Sequence, residues 1–143
     1  MGLSAFRAAL LRAAAGAALA LALASTPAFA ANCHGLKDKY FFDVHNKTLA
    51  KSLKSRLGKA FRRFDDRYQT QIPFASAGDG YVFAPACMAH SCTVEEAFLG
   101  IDEETCAVFV SLLEDGKHTD SFPASGWPPA LESARQDWIN GKF

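Results

Sequence analysis

Cys87-Met88-Ala89-His90-Ser91-Cys92 constrains this chain more than any other stretch. The two cysteines are close enough to close a small ring, and that ring would hold a histidine at its tip. In an oxidising compartment the spacing describes a disulfide-clamped loop presenting an imidazole. In a reducing one it describes part of a metal site. The compartment decides between them.

Residues 1–30 have the three parts of a secretory signal. Arg7 and Arg12 supply the positive start, Ala13 to Ala24 form a short apolar run, and Ala28-Phe29-Ala30 offers small residues for a signal peptidase. The run falls short of the roughly 20 residues a spanning helix needs, and Pro27 follows at once. Cleavage after Ala30 is therefore expected. No later segment approaches spanning length, so the mature chain, Ala31 to Phe143, should be periplasmic, with no membrane span after cleavage.

That remainder has the size of one small domain, whose thin core disulfides commonly supplement. All four cysteines (Cys33, Cys87, Cys92, Cys106) fall in it, and three connectivities are open. The economical one pairs Cys87 with Cys92 and leaves Cys33 with Cys106. On the chain-entropy argument the short ring contributes about 2 kcal/mol and the long one about 4 kcal/mol. The long bridge would stabilise the fold, the short one a loop.

A neutral total hides an asymmetry. Residues 31–78 hold ten Lys/Arg against four Asp/Glu, a net of +6, whereas residues 79–143 hold three against eleven, a net of −8. Either the acidic half is an interaction surface, or the halves neutralise each other on packing.

Asn46 to Tyr68 reads as one amphipathic helix. Leu49, Leu53, Leu57, Phe61, Phe64 and Tyr68 recur at three- and four-residue steps, and Asp43 or Asn46 can cap its start. Lys47, Lys51, Lys54, Arg56, Lys59, Arg62 and Arg63 fill the other faces; in an exported chain this reads as a solvated face, with no nucleic-acid partner. Asn46-Lys47-Thr48 also matches a glycosylation sequon. Pro73 to Gly80 reads as a turn-rich connection around Asp79-Gly80. Strands follow at Tyr81 to Phe83, Val94 to Ile101, Thr105 to Leu113 and His118 to Phe122, with a turn at Glu114 to Lys117. Pro128-Pro129 opens a last helix with Leu131, Ala134, Trp138 and Ile139 on one face. The expected fold is α+β: an antiparallel β-sheet with packed helices, in a single small domain.

Catalysis is not signalled. Gly-x-Ser-x-Gly, Gly-x-Gly-x-x-Gly, the Walker pattern and Cys-x-x-Cys-His are all absent. Glu95-Glu96 and Asp102-Glu103-Glu104 read as solvated turns and strand edges, because adjacent strand residues point to opposite faces. A metal set of Cys87, His90 and Cys92, completed by Cys33, Cys106 or His34, crowds three candidates into six residues, unlike the two separated pairs usual for zinc. No cofactor and no metal is expected. Recognition remains: a closed ring loses less ordering entropy on binding, and a histidine can donate from both ring nitrogens when charged. His90 on a merely structural clamp is the plainer alternative.

Cys-x-x-His-x-Cys, after a strand ending in Ala86 and before further strands in a signal-bearing chain, resembles the Ivy family of periplasmic inhibitors of vertebrate (C-type) lysozyme. The resemblance implies a sheet with packed helices and a protruding loop that enters the lysozyme cleft. Cys87 and Cys92 would be the clamp of an inhibitory loop comprising Met88, Ala89, His90 and Ser91. His90 would be the inserted residue, meeting the two catalytic carboxylates. The expected partner is a C-type lysozyme or a related muramidase, and the acidic half suits the basic surface of such an enzyme. Well-known members have Lys-Pro before the histidine and Asp after it, where this chain has Met88-Ala89 and Ser91. A second function, from another class, is an envelope binding module for an endogenous lytic enzyme or an anionic polymer. Monomer and homodimer both remain open.

Overall fold

The apolar stripe of residues 46–68 folds into two helices rather than one. The computed structural model describes residues 33–44 and 46–143, so the signal segment lies outside the described residues. Asn46 caps α1 (Lys47–Leu57), its side-chain oxygen accepting from the backbone N–H of Thr48 at 2.9 Å and Leu49 at 3.1 Å. At Gly58 the backbone takes φ 50° and ψ −119°, and a 3-10 turn (Gly58–Ala60) leads into α2 (Phe61–Arg67). Glycine adopts that conformation without a Cβ penalty, which corrects the single helix expected from periodicity. Leu49, Leu53, Leu57, Phe64 and Tyr68 are buried nonetheless.

Among the described residues six strands form one antiparallel sheet: β1 (Thr70–Gln71), β2 (Ala75–Gly78), β3 (Tyr81–Cys87), β4 (Glu96–Asp102), β5 (Val108–Glu114) and β6 (Lys117–Phe122). Strands β3 to β6 form a meander, and β1 and β2 share the other edge of β3. The segment expected to be only a turn thus carries β2; its Ala, Ser and Gly residues extend because β3 offers them an edge. Asp79-Gly80 and Asp115-Gly116, all at positive φ (53°, 79°, 51° and 69°), make the two tight hairpin turns. Ile72 N donates to Pro85 O at 3.4 Å, so Pro85 faces the gap between β1 and β2. A strand residue's N and O point the same way, and the missing N–H therefore costs no bond to β4. Two strand starts move inward from expectation: β4 begins at Glu96, and β5 at Val108. Cys106, at φ 57° and bridged to Cys33, lies before β5.

The sheet is covered on both faces. Val82, Ala84, Ala86, Ala97, Leu99, Ile101, Val108, Val110 and Leu112 pack with α1 and α2. Phe83, Phe98 and Leu113 pack with Leu131 and Trp138 of α3 (Pro129–Ile139). This layering explains why β3 to β5 read as nearly continuous apolar runs. Gly100 lets α3 approach: a Cβ there would lie 2.8 Å from the Cδ atoms of fully buried Leu131. The fold is the expected α+β arrangement.

Candidate functional site

Residues 88–95 connect β3 to β4 at one end of the sheet, and Cys87 and Cys92 are joined across their base with Cα atoms 5.0 Å apart. Met88 N donates to Glu95 O at 2.9 Å, closing the base. Ser91 N donates to Met88 O at 3.0 Å, making a turn whose third residue is His90 at φ 65°. Histidine is among the few non-glycine residues enriched in that region. Val94 N and Glu95 N then both donate to Ser91 O, at 3.1 and 2.8 Å. Ala89, His90 and Cys92 are exposed, Met88 and Ser91 half-buried. The imidazole of His90 hydrogen-bonds to none of the described residues.

Two carboxylates fasten this loop from opposite faces of the sheet. Glu95, on the α2 side, accepts from Arg67 Nη2 and from Asp115 N (3.3 Å). Arg67 is only 5% exposed, and it also donates to Leu113 O (3.1 Å), Arg63 O (2.8 Å) and Glu114 Oε1 (3.1 Å). Glu96, on the α3 side, accepts from Thr93 N at 2.6 Å and from Trp138 Nε1 at 2.7 Å. The reading of Glu95-Glu96 as a solvated strand edge is corrected: both are anchors, though they do face opposite ways. Gln69 adds a third tether, its Oε1 accepting from Ala89 N at 3.1 Å. A proline at position 89 has no such N–H, so in this chain a hydrogen bond holds what a pyrrolidine ring would stiffen.

The +6 and −8 halves meet here. Arg63 pairs with Glu114 (2.7 Å) and Asp120 (2.8 Å), and Arg67 with Glu95 and Glu114. Asp120 first, and then Glu114, raise the Arg63 guanidinium above its ordinary value despite partial burial. Burial pushes the Tyr68 phenol, which donates to Ala84 O beneath β3, well above its ordinary range. On α3, the hydrogen bond from Arg135 lowers the Glu132 carboxyl. The sequence reading missed Arg67 and Gln69 and did not bring Trp138 to the loop. For Arg67 one signal was present: it lies three residues after Phe64, on the buried side of α2.

The other cysteine pair sits at the opposite end of the sheet. Cys33 and Cys106 are bridged and buried, and Glu103 accepts from Gly35 N (3.2 Å) and Leu36 N (3.4 Å) beside them. The candidate ligands Cys33, His34 and Cys106 are thus separated from Cys87, His90 and Cys92, and every thiol is in a disulfide. Among the described residues no group of three His, Cys, Asp or Glu could hold a metal ion.

A family profile described as inhibitor of vertebrate lysozyme (Ivy) matches residues 48–141, from the first turn of α1 past the end of α3. The chain belongs to the Ivy family. No curated protein and no solved structure gave a significant match. Ivy proteins are lysozyme inhibitors, not enzymes, and lysozyme is the partner the family binds. The matched region contains the whole clamp and all three of its tethers.

Proposed function

We propose that this Ivy protein is exported to the periplasm and inhibits a C-type lysozyme or related muramidase by inserting the Cys87–Cys92 loop into the active-site cleft. His90 hydrogen-bonds the two catalytic carboxylates there. The observation that carries the reading is an exposed imidazole, without a partner among the described residues, on a loop tethered from three directions. A loop so held has little conformational freedom left to lose on binding. A histidine entering a site with two carboxylates meets acceptors for both ring nitrogens. The acidic second half assists encounter with a basic enzyme and makes association salt-dependent.

The test is an inhibition titration against a C-type lysozyme with the wild type and His90→Ala. The variant should lose about 30-fold in potency, the scale of a central interface residue. Equal potency, or no inhibition by the wild type up to high micromolar concentration, removes the mechanism. A second reading draws on α1: Thr48, Lys51, Ser52, Ser55 and Arg56 line an open groove of about 540 Å³ with no carboxylate in it. An anionic envelope polymer fits that lining. Loss of polymer binding in Lys51→Ala/Arg56→Ala, with His90→Ala harmless, would favour it.

A further inference from the structure

Among the described residues five large apolar side chains are exposed, Tyr40, Phe42, Ile72, Val94 and Phe143, from 42% to 60%, and the last three border the clamp. Val94 lies in the clamped connection itself. Ile72 and Phe143 line, together with Cys87, Cys92 and Trp138, an open cleft of about 260 Å³ beside the clamp. Phe42 is drawn to the same edge, its N–H donating to Gln71 Oε1 at 3.4 Å. Asp38 N donates to Phe74 O (2.8 Å) and Phe74 N to Lys39 O (2.9 Å), so the segment carrying Tyr40 runs alongside. None of the five lines the pocket at the opposite end of the sheet, where Asp79, Asp102, Glu103 and Glu104 cluster. Single exposed apolar residues are ordinary; their convergence on one rim is not.

We propose that Ile72, Val94 and Phe143 form an apolar collar that docks on the rim of the same muramidase whose cleft receives His90. This inference rests on the loop-insertion reading. Both clamp cysteines line the cleft, so an enzyme that admits the loop to its base must lie over Ile72 and Phe143. A second copy of this chain seated on the cleft would obstruct the loop, and the two occupants would compete. Charge agrees with the enzyme: among the described residues Glu96 is the one charged side chain lining the cleft, and no Lys or Arg lines it to repel a basic partner. The surface is already formed. The Phe143 ring lies 5.3 Å from that of Phe83, and the Trp138 indole is fixed by Glu96. An interface built this way has a polar imidazole at its centre and an apolar ring outside, excluding water from the central hydrogen bonds.

The experiment measures association and dissociation rates with a C-type lysozyme for the wild type, His90→Ala and Ile72→Asp/Phe143→Ser, with sedimentation of each inhibitor alone. Ile72 and Phe143 are exposed, so an unchanged thermal transition is the control that the double variant folds. The expected result is a Kd raised at least ten-fold in the double variant, through faster dissociation and persisting at high salt. A tight wild type, a weakened His90→Ala and an unaltered double variant overturn the collar alone. Equal binding by wild type and His90→Ala overturns insertion, and the collar with it. A wild-type dimer that the double variant makes monomeric without loss of lysozyme affinity gives the surface to a second copy, which also overturns the proposal.

Discussion

The two ends of the sheet each carry a disulfide, and the two bonds do different work. Cys33–Cys106 spans 73 residues and is buried, tying the N-terminal segment to the β4–β5 connection. Cys87–Cys92 spans 5 residues, with Cys92 exposed, in a connection that hydrogen bonds already hold. A long bridge acts mainly on the unfolded chain, whereas a short bridge acts mainly on the loop it closes. Stability and the proposed recognition are therefore separable by position in this protein.

The strongest way to break the comparison is Cys33→Ser/Cys106→Ser. Urea unfolding should show a loss of about 4 kcal/mol, with lysozyme affinity little changed wherever the variant remains folded. A large affinity loss in the folded variant would couple the two ends. Arg67→Met comes next, because it keeps the aliphatic stem but leaves Glu95 and Glu114 without their shared cation. Destabilisation of about 3 kcal/mol is expected, together with faster amide exchange at Met88 and Asp115; stability lost without faster exchange would confine Arg67 to the core. Cys87→Ser/Cys92→Ser should weaken lysozyme binding by up to about 2 kcal/mol, with an effect on unfolding smaller than that of losing the long bridge. Unchanged affinity by calorimetry would mean that the three tethers organise the loop alone.

Smaller effects sharpen the same contrast. Gln69→Ala removes one hydrogen bond to the loop and should cost about 1 kcal/mol of binding while leaving the thermal transition nearly in place. A shift in the transition equal to that of a core variant would contradict this. The last effect concerns α3, which braces the clamp through Trp138. The folded-state pKa of Glu132 is lowered by Arg135, so its contribution to stability is present above the unfolded carboxyl value and is lost as pH falls through the folded one. Its carboxylate is partly exposed, so the contribution is small. In Glu132→Gln the acid limb of the stability profile should be slightly shallower; an identical limb would remove the pair from the account.

Much of the architecture was legible because periodicity reports which face of an element is buried. The stripe from Leu49 to Tyr68 identified the helical layer, and the Asp-Gly pairs identified both tight hairpins. The break at Gly58 was hidden because the apolar spacing from Leu57 to Phe61 runs undisturbed across the 3-10 turn. Strands β1 and β2 were hidden for another reason: neither has an apolar pattern of its own, and each exists by pairing with β3. The loop's anchors were least legible. Periodicity places Glu95 and Glu96 on opposite faces but does not name Arg67 or Trp138, which arrive from distant segments.

The tethering also separates what is fixed from what is free to vary. Met88, Ala89 and Ser91 take part in the loop through backbone N–H and C=O groups, while Gln69, Arg67, Glu95, Glu96 and Trp138, all outside the tip, supply the side chains. His90 adds only the demand for a residue tolerant of positive φ. The tip is thus an exchangeable cassette on a permanent mount. Under the proposed insertion, side chains at the tip can change while the tethers beneath them stay as they are.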